Sequence, residues 1–306
     1  MQVIGIDLGG TKVVAAHFSE NGEMTGTRSA LLEGRTGTHV AALIADLCSA
    51  LLEDLNLDMQ EEKCIGICVP GIANSKTNRI WAPNIPGWEN FPLKDFLAEA
   101  IPNTRVLVES DRTCYILGEV WKGVAQGCHN AIYLSVGTGI GAGIFIDDRV
   151  LHGNADVVGA IGWMGLHSPF SEEYSLCGCF ETYASGTGIA AQARKLSGQP
   201  GVYKNTKSVF EAYERGNTVA LRVIDKAIEC WGMASANLVS LFNPSMIIWG
   251  GGVFGPAAAF LERIYYEACK WAQPVSIRQC TFTQTGLSQL AGLYGAGKVA
   301  IDSFKQ

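Results

Sequence analysis

The feature that most constrains this chain is a pattern found once in each half, in which a tight glycine turn joins two apolar strands. Residues 3–18 carry it around the turn L-G-G-T-K, and residues 131–146 carry it around G-T-G-I-G. Apolar runs that flank such a turn are typical of β-hairpins. The approximate repeat therefore predicts two related halves, each presenting one glycine turn to a common cleft.

The remaining pattern alternates short apolar strands with amphipathic helices, which predicts an α/β architecture. A chain of 306 residues exceeds the size of most single cores, so we expect two domains with a ligand cleft between them. The spacing of apolar residues predicts helices at 38–55, 93–100, 113–122, 180–196 and 218–242, and strands at 64–69, 106–109 and 246–249.

The amino-acid composition limits the classes of binding partner and the cell compartment that we expect for this chain. The net charge of −6 argues against nucleic acid, because binding to phosphate backbones needs clustered Lys and Arg. Neither a signal peptide nor an apolar run of membrane-spanning length is evident, so we expect a cytoplasmic protein without a membrane partner. Ten cysteines in a chain of this length do not suggest a disulfide scaffold. Six of them stand in apolar surroundings and are predicted to be buried: Cys48, Cys64, Cys68, Cys114, Cys230 and Cys269.

The first glycine turn is suited to phosphate. Gly9 and Gly10 let the backbone turn sharply and present N–H groups to phosphate oxygens without side chains in the way. Asp7 can hold magnesium or its water, and Thr11 and Lys12 can donate to a γ-phosphate. A P-loop is excluded, because that motif opens a helix and here a strand follows. The alternative is a hairpin turn without a ligand.

The second turn has two interpretations. Gly137, Gly139 and Ala142 match the dinucleotide fingerprint G-x-G-x-x-[GA], which requires a helix immediately afterwards. The apolar run at 144–146 instead predicts a strand, which favours a second phosphate-binding hairpin with Thr138 as a donor. A third glycine run, with Gly251 and Gly252, follows the strand at 246–249 and would admit a flat adenine or a ribose close to the backbone.

Asp111 is the candidate catalytic base. It stands between a predicted strand and a predicted helix, a position from which a carboxylate can accept the proton of an attacking hydroxyl during phosphoryl transfer. An aspartate at the start of a helix is otherwise usually a cap. The nearby glycine turns favour the catalytic interpretation.

Taken together, these motifs resemble the ROK family of bacterial sugar kinases and sugar-responsive repressors, over essentially the whole chain. The resemblance implies a two-domain fold like actin and hexokinase (ribonuclease H-like), with residues 1–117 plus 290–306 as the small domain and 118–289 as the large, nucleotide-binding domain. It also implies Mg-ATP as donor, a hexose or amino-hexose hydroxyl as acceptor, and a homodimer. The matching segments are Asp7 to Lys12, Val69-Pro70-Gly71, Pro83-Asn84 with Gly87-Trp88, Gly137 to Gly143, Gly178 to Glu181, and Asn243 to Gly252.

The resemblance also implies roles for individual residues. We expect acceptor binding by Gly71, Asn84, Ser110, Asp111, Trp163 and Glu181. For the nucleotide and its phosphates we expect Asp7, Gly9, Gly10, Thr11, Lys12, Gly137, Thr138, Gly139, Gly251 and Gly252, with Asp7 as the magnesium ligand.

Two departures from the family pattern bear on substrate and metal. Ala160-Ile161-Gly162-Trp163 stands where the family has E-x-G-H, so a carboxylate and an imidazole that contact sugar are replaced by a methyl group and an indole. A binding site that leaves the hydroxyl groups of a substrate without hydrogen-bond partners rejects that substrate. Ordinary glucose is therefore doubtful as the acceptor, and a deoxy, substituted or cyclic polyol is expected instead. The cysteine loop is reduced to Cys177-Gly178-Cys179, which predicts no structural zinc. His167 is expected to be a surface residue or a hydrogen-bonded structural residue, and not a substitute for the missing histidine.

The leading hypothesis is an ATP-dependent sugar or polyol kinase of carbohydrate metabolism, a transferase. Its rival is a non-catalytic sugar-binding or sensor protein of the same fold, motivated by the lost Glu, His and zinc ligands. A dinucleotide enzyme is a third, weaker possibility. The family's repressors carry a helix-turn-helix before the first phosphate turn, whereas Asp7 is almost the first residue here, so DNA binding is not expected.

Overall fold

In a computed structural model, residues 2–19, 21–58, 61–199 and 201–303 are described. The chain divides into two compact units. Unit 1 consists of Met1–Gln126, His152–Val158 and Gln289–Gln306, and unit 2 of Gly127–Leu151 and Gly159–Ser288. Within the described ranges, no helix is long and apolar enough to cross a membrane.

Unit 1 is built on a five-stranded sheet in the order β3-β2-β1-β4-β7. β1, β2 and β3 are antiparallel neighbours, whereas β1, β4 and β7 run parallel. A separate hairpin consists of β5 and β6. The elements are β1 (Gln2–Leu8), β2 (Lys12–Phe18), β3 (Met24–Leu31), α1 (Gly37–Asp54), β4 (Lys63–Val69), β5 (Ile72–Asn74), β6 (Arg79–Trp81), α2 (Leu93–Ala100), β7 (Thr104–Ser110), α3 (Asp111–Lys122) and α10 (Ala291–Asp302).

The alternation of side chains along β1 decides which residues reach the core and which reach the site. Ile4, Ile6 and Leu8 join the large apolar cluster with α1, whereas Val3 packs on the other face with α10. Asp7 points to the same face as Val3, since successive strand side chains point to opposite faces. Strand β1 thus presents the Asp7 carboxylate, near its end, to the α10 side.

Unit 2 repeats this topology with a sheet in the order β10-β9-β8-β11-β12. Here β8, β9 and β10 are antiparallel, whereas β8, β11 and β12 run parallel. The internal repeat predicted from the two glycine turns is therefore confirmed. The elements are β8 (Ala131–Val136), β9 (Ile140–Ile146), β10 (Arg149–Val150), α4 (Cys179–Ala184), α5 (Gly186–Ser197), α6 (Thr206–Glu214), α7 (Thr218–Phe242), β11 (Met246–Gly250), α8 (Leu261–Cys269), α9 (Pro274–Gln279) and β12 (Thr281–Gln284).

The structure corrects two details of the sequence analysis. The single helix predicted at 180–196 is two helices, α4 and α5, because Ser185 is extended and its Oγ accepts a hydrogen bond from Gly188 N as the N-cap of α5. Cys269 is exposed rather than buried. The buried face of α8 carries Ile264 and Ala268, four residues apart, and Cys269 lies about 100° further round the helix.

The units also differ in extent from the predicted domains. A boundary at residue 117 would cut α3, whereas unit 1 continues through this helix to Gln126. The short segment His152–Val158 belongs to unit 1, although the chain on either side of it belongs to unit 2. Contacts with residues close in space, rather than position in the sequence, assign this segment to unit 1.

Candidate active site

The first glycine turn is a hairpin between β1 and β2, as predicted. Gly9 N donates to Lys12 O at 2.9 Å, and Leu32 N donates to Thr11 O at 2.8 Å. Gly10, Thr11 and Lys12 are exposed, so their N–H and side-chain donors are accessible to a ligand. A Cβ atom at Gly10 would lie 3.8 Å from Cβ of Asn84, which brings the predicted acceptor residue Asn84 beside this turn.

Asp7 lies at the base of that turn. Its Cα is paired in register with Cys68 on the neighbouring strand β4. Burial raises the pKa of Asp7, while a hydrogen bond from the Cys68 thiol and the charge of Lys12 oppose that rise. The carboxylate packs so closely on α10 that a Cβ atom at Gly292 would lie 2.8 Å from it.

Asp111 is the first residue of α3, immediately after β7. Its Oδ1 accepts a hydrogen bond from Arg112 N at 2.8 Å, while the helix cap itself is Ser110. Burial raises the pKa of Asp111 to about 6, with Arg112 opposing the rise and Asp7 adding to it. A carboxylate with that pKa is ionised at neutral pH and still basic enough to accept a proton.

The other residues predicted to bind the acceptor in unit 1 have identifiable structural contacts. Ser110 is buried, and its Oγ accepts from Thr113 N at 3.4 Å. Gly71 lies so close to β6 that a Cβ atom there would be 2.1 Å from Trp81 O. Asn84 is exposed on a loop that the buried Trp88 holds by donating from Nε1 to Gly37 O at 3.0 Å. Their roles as acceptor ligands stay predictions.

The second glycine turn joins β8 to β9, with Gly137 N donating to Gly139 O at 2.9 Å. A strand and not a helix follows the turn. The dinucleotide interpretation fails on this point, since the pyrophosphate needs the N-terminus of a helix directly after the glycines.

A cavity of about 380 Å³ opens beside this turn in unit 2. Its walls come from the second turn, the starts of α5 and α6, and the glycine run after β11. The N-terminal ends of α5 and α6 line it, and the partial positive charge of a helix N-terminus favours an anionic ligand. The lining residues are Gly137, Thr138, Gly186, Thr187, Ala190, Arg194, Lys204, Asn205, Thr206, Gly252 and Val253.

Several residues of this wall were missed in the sequence analysis. Thr187 lies at the start of α5, which the single helix predicted at 180–196 did not separate from α4. Lys204, Asn205 and Thr206 lie at the start of α6, which was not predicted. The signal for them was capping: Asn205 accepts from Ser208 N at 3.0 Å within a reciprocal capping box. Thr206 joins the two helix starts by donating from Oγ1 to Gly186 O at 2.6 Å.

Gly251 shows why the third glycine run is needed. Its φ is +86°, and a Cβ atom there would lie 2.5 Å from Val136 O. Both the left-handed backbone and the contact with β8 exclude a side chain. The turn therefore brings Gly252 to the cavity directly beside the second glycine turn.

Glu181 holds the second glycine turn through a hydrogen bond from the backbone at the start of β9. Its Oε2 accepts from Ile140 N at 2.6 Å, and Cβ atoms at Gly139 and Gly162 would each lie 2.8 Å from this oxygen. Burial raises the pKa of Glu181, and the hydrogen bond from Ile140 opposes the rise. Trp163, in the position of the family's histidine, is 59% exposed and available for stacking.

In the region that corresponds to the family's zinc loop, aromatic, histidine and cysteine side chains contact one another directly. The His167 ring meets the Tyr183 ring edge-on at 4.9 Å, and its Nε2 is 3.5 Å from the Cys230 thiol. Tyr174 and Tyr183 share a hydrogen bond of 2.9 Å between their hydroxyl groups. Among the residues that the structure describes, no group of three or more His, Cys, Asp or Glu side chains could hold a metal ion.

Comparison with known proteins identifies the family of this chain. A model of the ROK family matches residues 3–303. The chain belongs to the ROK family. A glucokinase from Halalkalibacterium halodurans is 31% identical, over 96% of this chain and 93% of that protein.

Solved ROK structures extend the likeness to the fold. The ROK hexokinase from Thermus thermophilus superposes with a TM-score of 0.85 at 29% identity, covering 100% of this chain and 99% of that one. A ROK glucokinase from Streptomyces griseus, in complex with glucose and AMPPNP, gives a TM-score of 0.75 at 29% identity, over 99% and 100% of the two chains. The predicted actin-like, hexokinase-like fold is confirmed.

Proposed function

We propose that this protein transfers the terminal phosphate of ATP to a hydroxyl group of a sugar or sugar-like polyol, with Asp111 as the general base. That the protein is a sugar kinase follows from its ROK membership and from its glucokinase relatives. The observation that carries the proposal for Asp111 is its pKa of about 6, at the first position of α3 beside the acidic Asp7.

In the proposed reaction, Asp111 accepts the proton of the acceptor hydroxyl as the oxygen attacks the γ-phosphorus. The new O–P bond forms while the bond from the γ-phosphorus to the bridging oxygen breaks, and ADP leaves. The protein's main task is to position the reactants and neutralise charge on the transferred phosphoryl group. We assign the exposed donors of Thr11 and Lys12 and the two glycine turns to that task.

Nucleotide binding is assigned to the cavity of unit 2. The AMPPNP complex of the Streptomyces griseus glucokinase supports ATP as the donor. The N-termini of α5 and α6 favour phosphate, and the glycines of the third run let a flat ring approach the backbone.

The residues present fit a magnesium ion. Mg²⁺ on a nucleotide is usually held by one or two carboxylates together with phosphate oxygens and water. Asp7 offers one carboxylate at the first turn, and Asp111 is near enough for Asp7 to raise its pKa. When bound, the ion would neutralise charge on the phosphates, and Asp7 would hold it or one of its waters.

The acceptor is proposed to differ from ordinary glucose. Ala160 cannot accept hydrogen bonds from hydroxyl groups, and the exposed indole of Trp163 offers an apolar face instead of an imidazole. A deoxy, substituted or cyclic polyol fits this chemistry better. A homodimer and a cytoplasmic location stay predictions.

The proposal is tested by measuring ADP release with a panel of hexoses, amino-hexoses, deoxy sugars and cyclic polyols. We expect at least one acceptor to stimulate ADP release, with a higher kcat/KM than glucose. If every sugar leaves ADP release at the basal rate while one still raises the Tm, the protein is a sensor and the kinase proposal is wrong.

The pH dependence of kcat/KM should report the Asp111 base. Only the ionised carboxylate can accept the proton, so activity should be full well above pH 6 and fall tenfold per pH unit well below it. The measurement is kcat/KM for the best acceptor between pH 5 and 8.5 at saturating Mg-ATP. A flat profile across pH 6 would contradict this assignment.

Lys204 tests the nucleotide cavity without disturbing the fold, because its side chain is exposed and lines the cavity. We expect Lys204→Ala to raise the KM for ATP by about 3- to 10-fold, because an ammonium group near the phosphates is lost, and to leave the Tm unchanged. Lys207→Ala is the matched control, because Lys207 lies three residues further on and is 84% exposed. Equal KM values in both variants would argue against nucleotide binding here.

A further inference from the structure

A second polar cavity lies wholly within unit 1. It is bounded by the edge strand β7, the β5–β6 hairpin, α2 and the segment that starts at His152, and its volume is about 300 Å³. Its lining residues all differ from those assigned above to nucleotide or acceptor. Seven polar side chains are part of the lining: Asn74, Ser75, Asn78, Lys94, Glu109, His152 and Asp156.

The wall formed by the 152–156 segment is fastened by specific hydrogen bonds. Asp156 Oδ2 accepts from both Ser75 N at 2.9 Å and Ser75 Oγ at 3.1 Å, and Lys76 Nζ donates to Asn154 Oδ1 at 3.1 Å. Asn74 Oδ1 accepts from two backbone N–H groups of the hairpin turn, at 2.9 and 3.1 Å. The cavity is therefore held open by a built framework.

Apart from the hydrogen bonds between Ser75 and Asp156, the polar groups that face the cavity pair only loosely with one another. His152 Nε2 lies 3.8 Å from Glu109 Oε1, beyond hydrogen-bond distance, and Lys94 Nζ is 3.5 Å from Asn78 Oδ1. Glu109 is mostly buried, and that burial raises the pKa of its carboxyl against the effect of His152. The side chains of His152 and Glu109 are 37% and 29% exposed, so both are accessible to a hydrogen-bonding ligand in the cavity.

The charges and polarity of the lining side chains indicate which class of ligand the cavity can bind. Two carboxylates face one ammonium and one imidazole, which disfavours a phosphorylated ligand. The described lining includes no Phe, Tyr or Trp side chain, so only the small imidazole of His152 could stack on a nucleobase. Amide and carboxylate groups beside the apolar Ile80 and Leu107 suit a neutral molecule with several hydroxyl groups and apolar C–H faces.

We propose that this cavity binds an unphosphorylated sugar or polyol of monosaccharide size, at a site separate from the acceptor bound at Asp111. Glu109 and Asp156 accept from its hydroxyl groups, and Lys94 and His152 donate to them. Because Glu109 stands two residues before Asp111 at the end of β7, an occupant lies next to the turn that carries the base.

The test measures binding without ATP, so it does not depend on the proposed kinase activity. Calorimetric titration with D-glucose, N-acetyl-D-glucosamine and myo-inositol should give two equivalents per chain for at least one probe. Ala73→Phe, which fills the cavity from β5, should reduce two equivalents to one. Glu109→Gln is a gentler second variant and should weaken the second site about tenfold while the first is unchanged.

His129→Ala is the matched control, because the His129 imidazole pairs with Asp148 at 2.8 Å on the surface of unit 2 and neither residue lines the cavity. It should retain both equivalents. Glucose 6-phosphate should not occupy the cavity. Three results would each overturn the proposal: one equivalent or none in the unaltered protein, two equivalents in Ala73→Phe, or loss of all binding in Ala73→Phe, since the acceptor would then occupy the cavity itself.

Discussion

Asp111→Asn should lower kcat by about 10²- to 10⁴-fold, because the amide keeps the shape of the side chain but cannot accept the hydroxyl proton. KM for ATP should change little, since Asp111 is proposed to act on the acceptor hydroxyl and not to bind the nucleotide. Burial already disfavours the charged carboxylate of Asp111, so the neutral amide should not lower the Tm at pH 8. The measurements are steady-state kinetics with the best acceptor and a thermal melt of the same preparation.

Asp95→Asn is the control for this substitution, because Asp95 also lies in the first turn of a helix, α2, and is exposed. Its activity should equal that of the unaltered protein. The base assignment is wrong if Asp111→Asn keeps more than about a tenth of kcat while folding normally. An effect of similar size from Asp95→Asn would point to a general effect of losing a helix N-terminal charge.

The largest expected effect on stability comes from Gly295→Ala in α10. A Cβ atom at this position would lie 1.9 Å from Cys114 O and 2.4 Å from its carbonyl carbon, so α3 and α10 would have to separate. Similar close approaches occur where Gly66 and Gly118 meet the backbone of α10. Overpacking at backbone contacts costs about 3 kcal/mol or more, which corresponds to a fall in Tm of roughly 10 °C.

Gly165→Ala is the control for this substitution, since no atom lies within 4 Å of the position that its Cβ would take. Its Tm should stay within about 2 °C of the unaltered protein, as expected for a change that creates no clash. An unchanged Tm in Gly295→Ala would mean that α10 packs less tightly on α3 than the structure indicates. Kinase activity measured well below the Tm should follow the folded fraction.

Much of the site could be predicted from sequence because local chemistry dictates it. A glycine turn between two apolar runs strongly favours a hairpin, so both glycine turns and their shared topology were predictable. Asp111 could be identified because it follows a strand and begins a helix, a relation between neighbours in the chain. Ser185 and Asn205 were missed, because a capping side chain inside a polar stretch leaves no periodic signal.

The sequence by itself determined the α/β repeat, the two hairpin turns and the position of Asp111 between a strand and a helix, since each depends on backbone preferences within a few residues. Only the tertiary structure decided that Glu181 bonds to Ile140 N beneath the second turn, that His152–Val158 packs in unit 1, and that burial raises the pKa of Asp111. Those properties depend on which groups become neighbours in space and lose water. Contacts between residues far apart in the chain determine these properties. The periodicity of apolar residues in the sequence does not reveal such contacts.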